Sequence, residues 1–276
     1  MEKKSNKLQR FLSGIILFPI IAVVLIFAND FWLDIMLTVV SIMCEYEYTK
    51  CFKESGKAHP SRWYLYLVSL ILTLTSSLTN EAARELMITI LPISLLILMV
   101  EMVFSKGKKN INDVMVTIFG IVYIPLMLIF LSLIRSRFEY GKIIIWYIFI
   151  AAWGSDIFAY LVGSRIGKHK FTKISPNKSI EGCVAGVIGA LVISVIFTAS
   201  INHIMGINLS MLMSSIIVVI LSIIGQTGDL LASSIKRYCD IKDFSELIPG
   251  HGGLLDRIDS VILIIPFAYI LLGILI

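Results

Sequence analysis

Charge is what this 276-residue chain has little of: 16% of its residues are Asp, Glu, Lys or Arg, against 57% hydrophobic. Mean hydropathy is +0.89. So few charges cannot coat a water-facing surface, which excludes a soluble globular domain. Cysteine is also scarce. Cys44, Cys51, Cys183 and Cys239 show no C-x-x-C spacing, which excludes a disulfide framework or a Cys/His metal knuckle and leads us to expect reduced thiols. No repeat and no low-complexity segment is present, and the opening MEKKSNKLQR with its apolar run lacks an A-x-A-like cleavage site. It reads as an uncleaved first span.

What is there in abundance is long apolar runs, of about 17 to 23 residues each, enough to cross a hydrocarbon layer of roughly 30 Å as a helix. Nine are expected, over residues 11–29, 31–49, 63–79, 85–104, 113–134, 143–164, 182–201, 209–232 and 258–276. The fold class is therefore an all-α polytopic membrane protein, because helices satisfy their own backbone hydrogen bonds in lipid. With nine spans and the N-terminus inside, 20 of the 24 Lys and Arg residues fall in inside segments, leaving Arg84, Arg135, Arg137 and Lys142 outside. The positive-inside rule thus favours a cytoplasmic N-terminus in a bacterial-type cytoplasmic membrane. It also accounts for the formal net charge of +5 without a nucleic-acid partner. We divide the chain into N-terminal and middle spans, 1–140, and a chemistry-bearing C-terminal region, 141–276. Glu45, Glu47 and Glu101 are expected to reach the interface by snorkelling.

Polar residues concentrate at one face of the second half, in 153–182 and 225–260. If the two segments meet, they form one site. Asp229, Ser233 and Lys236 stand at i, i+4 and i+7 along one helical face, with Arg237 beside it. A bland alternative is a helix end with a snorkelling Lys-Arg pair. Pro249-Gly250-His251-Gly252-Gly253 is a turn whose backbone amides can approach an anion closely, although any tight re-entry into the membrane could use such a turn. Asp256 and Asp259 are three apart at the start of the last span, where helix-dipole preference alone would put acids. With Asp229 from the neighbouring helix end they make a hard oxygen set suited to Mg2+, because carboxylates that close repel without a cation between them.

Upstream, Asp156 and Tyr160 precede Gly163 and Gly167, glycines that also suit close helix packing. Arg165, Lys168, Lys170, Lys173 and Lys178 follow with no acid between them, around the turn Ser175-Pro176-Asn177-Lys178-Ser179. Such a patch attracts anionic headgroups.

Read in order and spacing, Ser233, Lys236-Arg237, Lys242-Asp243, the Pro249–Gly253 turn and Asp256-Arg257-x-Asp259 resemble the signature of the phosphatidate cytidylyltransferase (CDP-diacylglycerol synthase) family. Asp156-x-x-Ala159-Tyr160-x-x-Gly163, Gly167-Lys168, Ser175-Pro176-x-Lys178-Ser179 and Glu181-Gly182 resemble its second motif. The resemblance is specific over 153–260 and general before it. The chain departs from the family at Asn177, often Lys there, and at Ile180, often aromatic; both bear on substrate preference.

The resemblance implies transfer of CMP from CTP to phosphatidate, giving CDP-diacylglycerol and pyrophosphate for phospholipid biosynthesis, with the loops on the cytoplasmic side. It implies Mg2+ on Asp229 and Asp256, with Asp259 as a further metal candidate, and leaves a second, monovalent cation and a homodimer open. Asp229, Asp256, Lys236 and Arg237 would be catalytic. Lys236, Arg237 and Arg257 would meet phosphate oxygens. Ser233, His251, Gly252 and Gly253 would lie near CTP, and Lys168, Ser175 and Lys178 would contact lipid phosphate or triphosphate. Asp156 and Asp259 would orient cations or water. Two other readings stay open: a CTP-dependent kinase acting on a membrane lipid alcohol, which needs a base for a neutral hydroxyl, and a cation transporter, which would carry its charges near the midplane.

Overall fold

A computed structural model describes residues 21–75, 80–247 and 252–275. Among these residues the secondary structure is helical, with an isolated antiparallel β-bridge between Lys170 and Ser179. Residues 21–27 are helical. Eight further helices follow: α1 (Asp30–Glu54), α2 (Arg62–Thr75), α3 (Asn80–Phe104), α4 (Ile111–Arg137), α5 (Gly141–Ile166), α6 (Ile180–Met205), α7 (Met211–Tyr238) and α8 (Leu255–Leu275).

Six of them, α3 to α8, are long and apolar enough to cross a membrane. Of the other three expected spans, the first lies mostly outside the described residues. The second, α1, is long but carries Asp34, Glu45 and Glu47 within it, and the third, α2, is described over 14 residues. Sequence cues set several helix ends. Asn110 and Asp113 form a reciprocal capping box at the start of α4, Ser179 accepts from the Gly182 amide at the start of α6, and Gly206 ends α6 at φ 65°. Pro125 sits in a π-helical turn, Val122–Leu126, where its missing N–H is absorbed.

Two compact units result: residues 1–139 with 236–258, and residues 140–235 with 259–276. In the first, Leu65, Val68, Leu72, Ile90, Ile121 and Ile129 form an apolar core. Polar pairs reinforce it, Thr38 with Thr73 at 2.6 Å and Ser41 with Ser69 at 2.8 Å, a common way for helices to adhere in lipid. In the second unit, α5 and α6 pack with backbones in close approach: a Cβ on Gly163 would lie 3.2 Å from Gly182 Cα. The packing role anticipated for Gly163 is therefore met.

Candidate active site

In the unit of residues 140–235 and 259–276, the loop between α5 and α6 is a tight hairpin. Phe171 N donates to Lys178 O at 3.0 Å, Ile180 N to His169 O at 2.9 Å, and Lys178 N to Ser175 O at 3.1 Å. Pro176 stands at the position of this turn that its fixed φ favours. The hairpin commits Lys178 to α7: its Nζ lies 2.5 Å from Asp229 Oδ2 and 3.5 Å from Gln226 O. Ser233, one turn on, donates to Asp229 Oδ1 at 3.4 Å. Gln226 Nε2 donates to Ser155 Oγ at 3.1 Å and Cys183 O at 3.0 Å, which ties α7 to α5 and α6. The 153–182 segment therefore meets the start of the 225–260 segment, through Lys178 and Asp229.

In the other unit, Lys236 Nζ is 2.6 Å from Asp256 Oδ1 and 5.4 Å over the Phe244 ring. Asp256 Oδ2 accepts from Phe244 N at 2.9 Å and Gly253 N at 3.0 Å. This carboxylate is only 2% exposed. One buried acid thus gathers the last turn of α7, the connecting loop and the glycine turn. Gly252 takes φ 82°, and a Cβ there would crowd Asp256 Oδ2 at 3.2 Å.

The remaining predicted residues separate by exposure. Asp259 is buried, and its Oδ1 accepts from Ser260 N at 2.7 Å. Ser175 is half-buried in the hairpin turn, while Asp156, Lys168, Arg237 and Arg257 are exposed. Arg237 donates to Ile241 O at 3.0 Å, which closes the end of α7. His251, with Pro249 and Gly250, lies outside the described residues.

Sequence reasoning missed Glu47. Expected at the interface, it is fully buried, as is Glu45. Its carboxylate accepts from Ser245 Oγ at 2.6 Å, Leu254 N at 2.9 Å and Leu255 N at 2.8 Å. It therefore caps the start of α8 from a position some 200 residues earlier, and a Cβ on Gly253 would strike it at 2.6 Å. The correction has a simple cause: α1 runs on to Glu54, so Glu47 is two turns inside its helix rather than at its end. An acid that deep is a signal in itself. Glu101, by contrast, is exposed, as expected.

Carboxylate oxygens are the donors that a hard cation takes. Asp229 and Asp256 each hold an ammonium group at 2.5 and 2.6 Å, so both positions draw positive charge. Asp229 is the more open, at 27% exposure, and among the described residues its Oδ1 meets only Ser233. Among the described residues no group of three or more His, Cys, Asp or Glu is gathered as a metal site. Mg2+ held by one or two carboxylates plus substrate phosphates does not require one.

The profile of the cytidylyltransferase family matches residues 8–275. A phosphatidate cytidylyltransferase of Bacillus subtilis (strain 168) is 30% identical over 266 residues, covering 96% of this chain and 97% of that protein. One of Staphylococcus haemolyticus (strain JCSC1435) is 36% identical over 171 residues, 62% of this chain and 63% of that protein. One of Staphylococcus aureus (strain COL) is 35% identical over the same length and shares.

Proposed function

This chain belongs to the cytidylyltransferase family and is a nucleotidyltransferase, and we propose that it transfers CMP from CTP to phosphatidate, releasing pyrophosphate. The observation that carries this reading is the Lys178–Asp229 pair, which holds the 175–179 turn of one motif against α7, one helical turn before Ser233 of the other.

A phosphate oxygen of phosphatidate attacks the α-phosphorus of CTP, and the bond to the β-phosphate bridging oxygen breaks. The nucleophile is already anionic, so the protein's task is positioning and charge stabilisation rather than proton abstraction. On this reading Lys178 moves between Asp229 and a substrate phosphate, and Lys236, buried against Asp256, presents fixed positive charge. Arg237 and Arg257, both exposed, reach phosphate oxygens, as does Lys168. Ser233 and the Gly252 amide orient the nucleotide, while Asp156 and Asp259 order cations or water. Asp229 and Asp256 would hold Mg2+, with Asp259 as a further ligand, and the ion would supply charge neutralisation at the phosphates.

We extend the reading to nine spans with a cytoplasmic N-terminus, supported by the bias of 20 of 24 basic residues to one side. The catalytic loops then face the cytoplasm, where CTP is found.

The test is reconstituted protein with phosphatidate and CTP labelled at either the α- or the γ-phosphate. We expect the α-label alone in a lipid product, abolished by EDTA and restored by Mg2+. The γ-label in lipid would mean a kinase and would overturn the assignment.

A further inference from the structure

Outside both motif segments, a cavity of about 630 Å3 opens where α1 ends, α2 begins and the α3–α4 loop passes. Lys53, Arg62 and Lys109 line it with His59, against a single carboxylate, Glu101. That acid is already engaged, by Ser61 Oγ at 2.7 Å and Lys109 Nζ at 3.9 Å. Lys109 is held further by His59 O at 2.5 Å. Arg62 is fixed by its Nε on Thr49 Oγ1 at 2.9 Å and by its stack over the Tyr46 ring at 5.0 Å. Its two terminal nitrogens make no hydrogen bond to the described residues. Preorganised guanidinium beside lysines is the usual chemistry for a phosphate oxyanion.

A second feature distinguishes this cavity from a site for a free anion. Trp63 and Leu67 line it and are 82% and 51% exposed, and Leu70 and Leu74 continue at 43% and 37%. These four stand at i, i+4, i+7 and i+11, so α2 presents one apolar stripe leading away from the cationic cavity. An exposed Trp at the junction of polar and apolar surface is typical of headgroup depth. The ligand that fits both halves is amphipathic, with a phosphate at one end and hydrocarbon at the other.

We propose that this cavity binds the headgroup of an anionic glycerophospholipid, its acyl chains lying along Trp63, Leu67, Leu70 and Leu74. The site is independent of the proposed reaction: none of its lining residues belongs to the motif segments. A bound lipid there would make the protein responsive to the anionic lipid content of its membrane.

The experiment uses the full chain in phosphatidylcholine nanodiscs, with a minor fraction of lipid replaced by brominated phosphatidylglycerol or brominated phosphatidylcholine. Quenching of Trp63 is read as the difference between the parent protein and Trp63→Phe. We expect the anionic lipid to quench more efficiently, by about fivefold for each cation engaged, and Arg62→Gln to remove most of the excess. Lys53→Gln, at an exposed position that leaves the fold intact, should remove part of it. Equal quenching by the two lipids overturns the proposal. So does full relief of quenching by millimolar inorganic phosphate, which would make this a site for soluble anions.

Discussion

Lys178 Nζ sits 2.5 Å from Asp229 Oδ2, so the hairpin before α6 is latched to α7 by an ion pair only 20% and 27% exposed. The pair is available for exchange, because incoming phosphate can take the lysine and a cation can take the carboxylate. Asp229→Asn should therefore lower kcat by about 10²-fold or more, the scale of losing one preorganised electrostatic partner, while membrane insertion is unchanged. Lys178→Ala should raise KM for CTP or phosphatidate more than it lowers thermal stability. The two are checked by steady-state kinetics beside a melting curve. Substantial Mg2+-dependent turnover in Asp229→Asn would remove the metal assignment.

Asp256 differs from Asp229 because it is buried and saturated by three donors. Its replacement should affect the fold as well as the chemistry. Asp256→Ala leaves Lys236 as an uncompensated buried charge, a loss of about 3–5 kcal/mol. Asp256→Asn keeps the shape and should cost less stability while still abolishing turnover. Limited proteolysis of the 240–254 loop alongside activity separates the two effects. A stable, inactive Asp256→Asn would show that the charge itself is needed by the reaction.

Glu47 leads to a prediction that the motifs alone do not suggest. It accepts the Leu254 and Leu255 amides at the start of α8 and the Ser245 hydroxyl, so Glu47→Gln retains one acceptor oxygen and Glu47→Ala none. Stranding buried donors costs about 1–3 kcal/mol each. Glu47→Ala should expose the glycine turn to protease and lower kcat together, with Glu47→Gln intermediate. If Glu47→Ala leaves both proteolysis and turnover unchanged, the cap is dispensable.

The helices are legible in the sequence because each span is long and apolar, and expected and observed bounds of α3 to α8 differ by a few residues. The 175–179 turn is legible because Pro176 dictates local geometry whatever surrounds it. The Lys178–Asp229 contact could be anticipated only as a condition, since nothing local brings residues 51 apart together. Glu47 was out of reach for a different reason. Its partners lie some 200 positions away, and its role depends on α1 continuing past residue 49, which the charges there argue against. The cavity beside Arg62 likewise depends on two separate connections meeting, α1–α2 and α3–α4, although its basic residues read as ordinary positive-inside bias.

The close approach of α5 and α6 yields the last prediction. A Cβ on Gly186 would lie 2.7 Å from Ser155 Oγ and 2.8 Å from Ser155 O, and one on Gly182 would lie 2.9 Å from Ala159 O. Backbone oxygens cannot swing aside as a side chain can, so the helices must separate. Gly186→Ala and Gly182→Ala should each destabilise the protein by about 1–3 kcal/mol, the usual cost of overpacking. Because Gly182 also follows the Ser179 cap that ends the hairpin, separation there should loosen Lys178 too. Gly182→Ala should then raise KM in addition to lowering the melting temperature, whereas Gly186→Ala, a turn deeper along α6, should affect stability first. A Gly182→Ala protein with parental KM and melting temperature would mean that the hairpin is held independently of the helix contact.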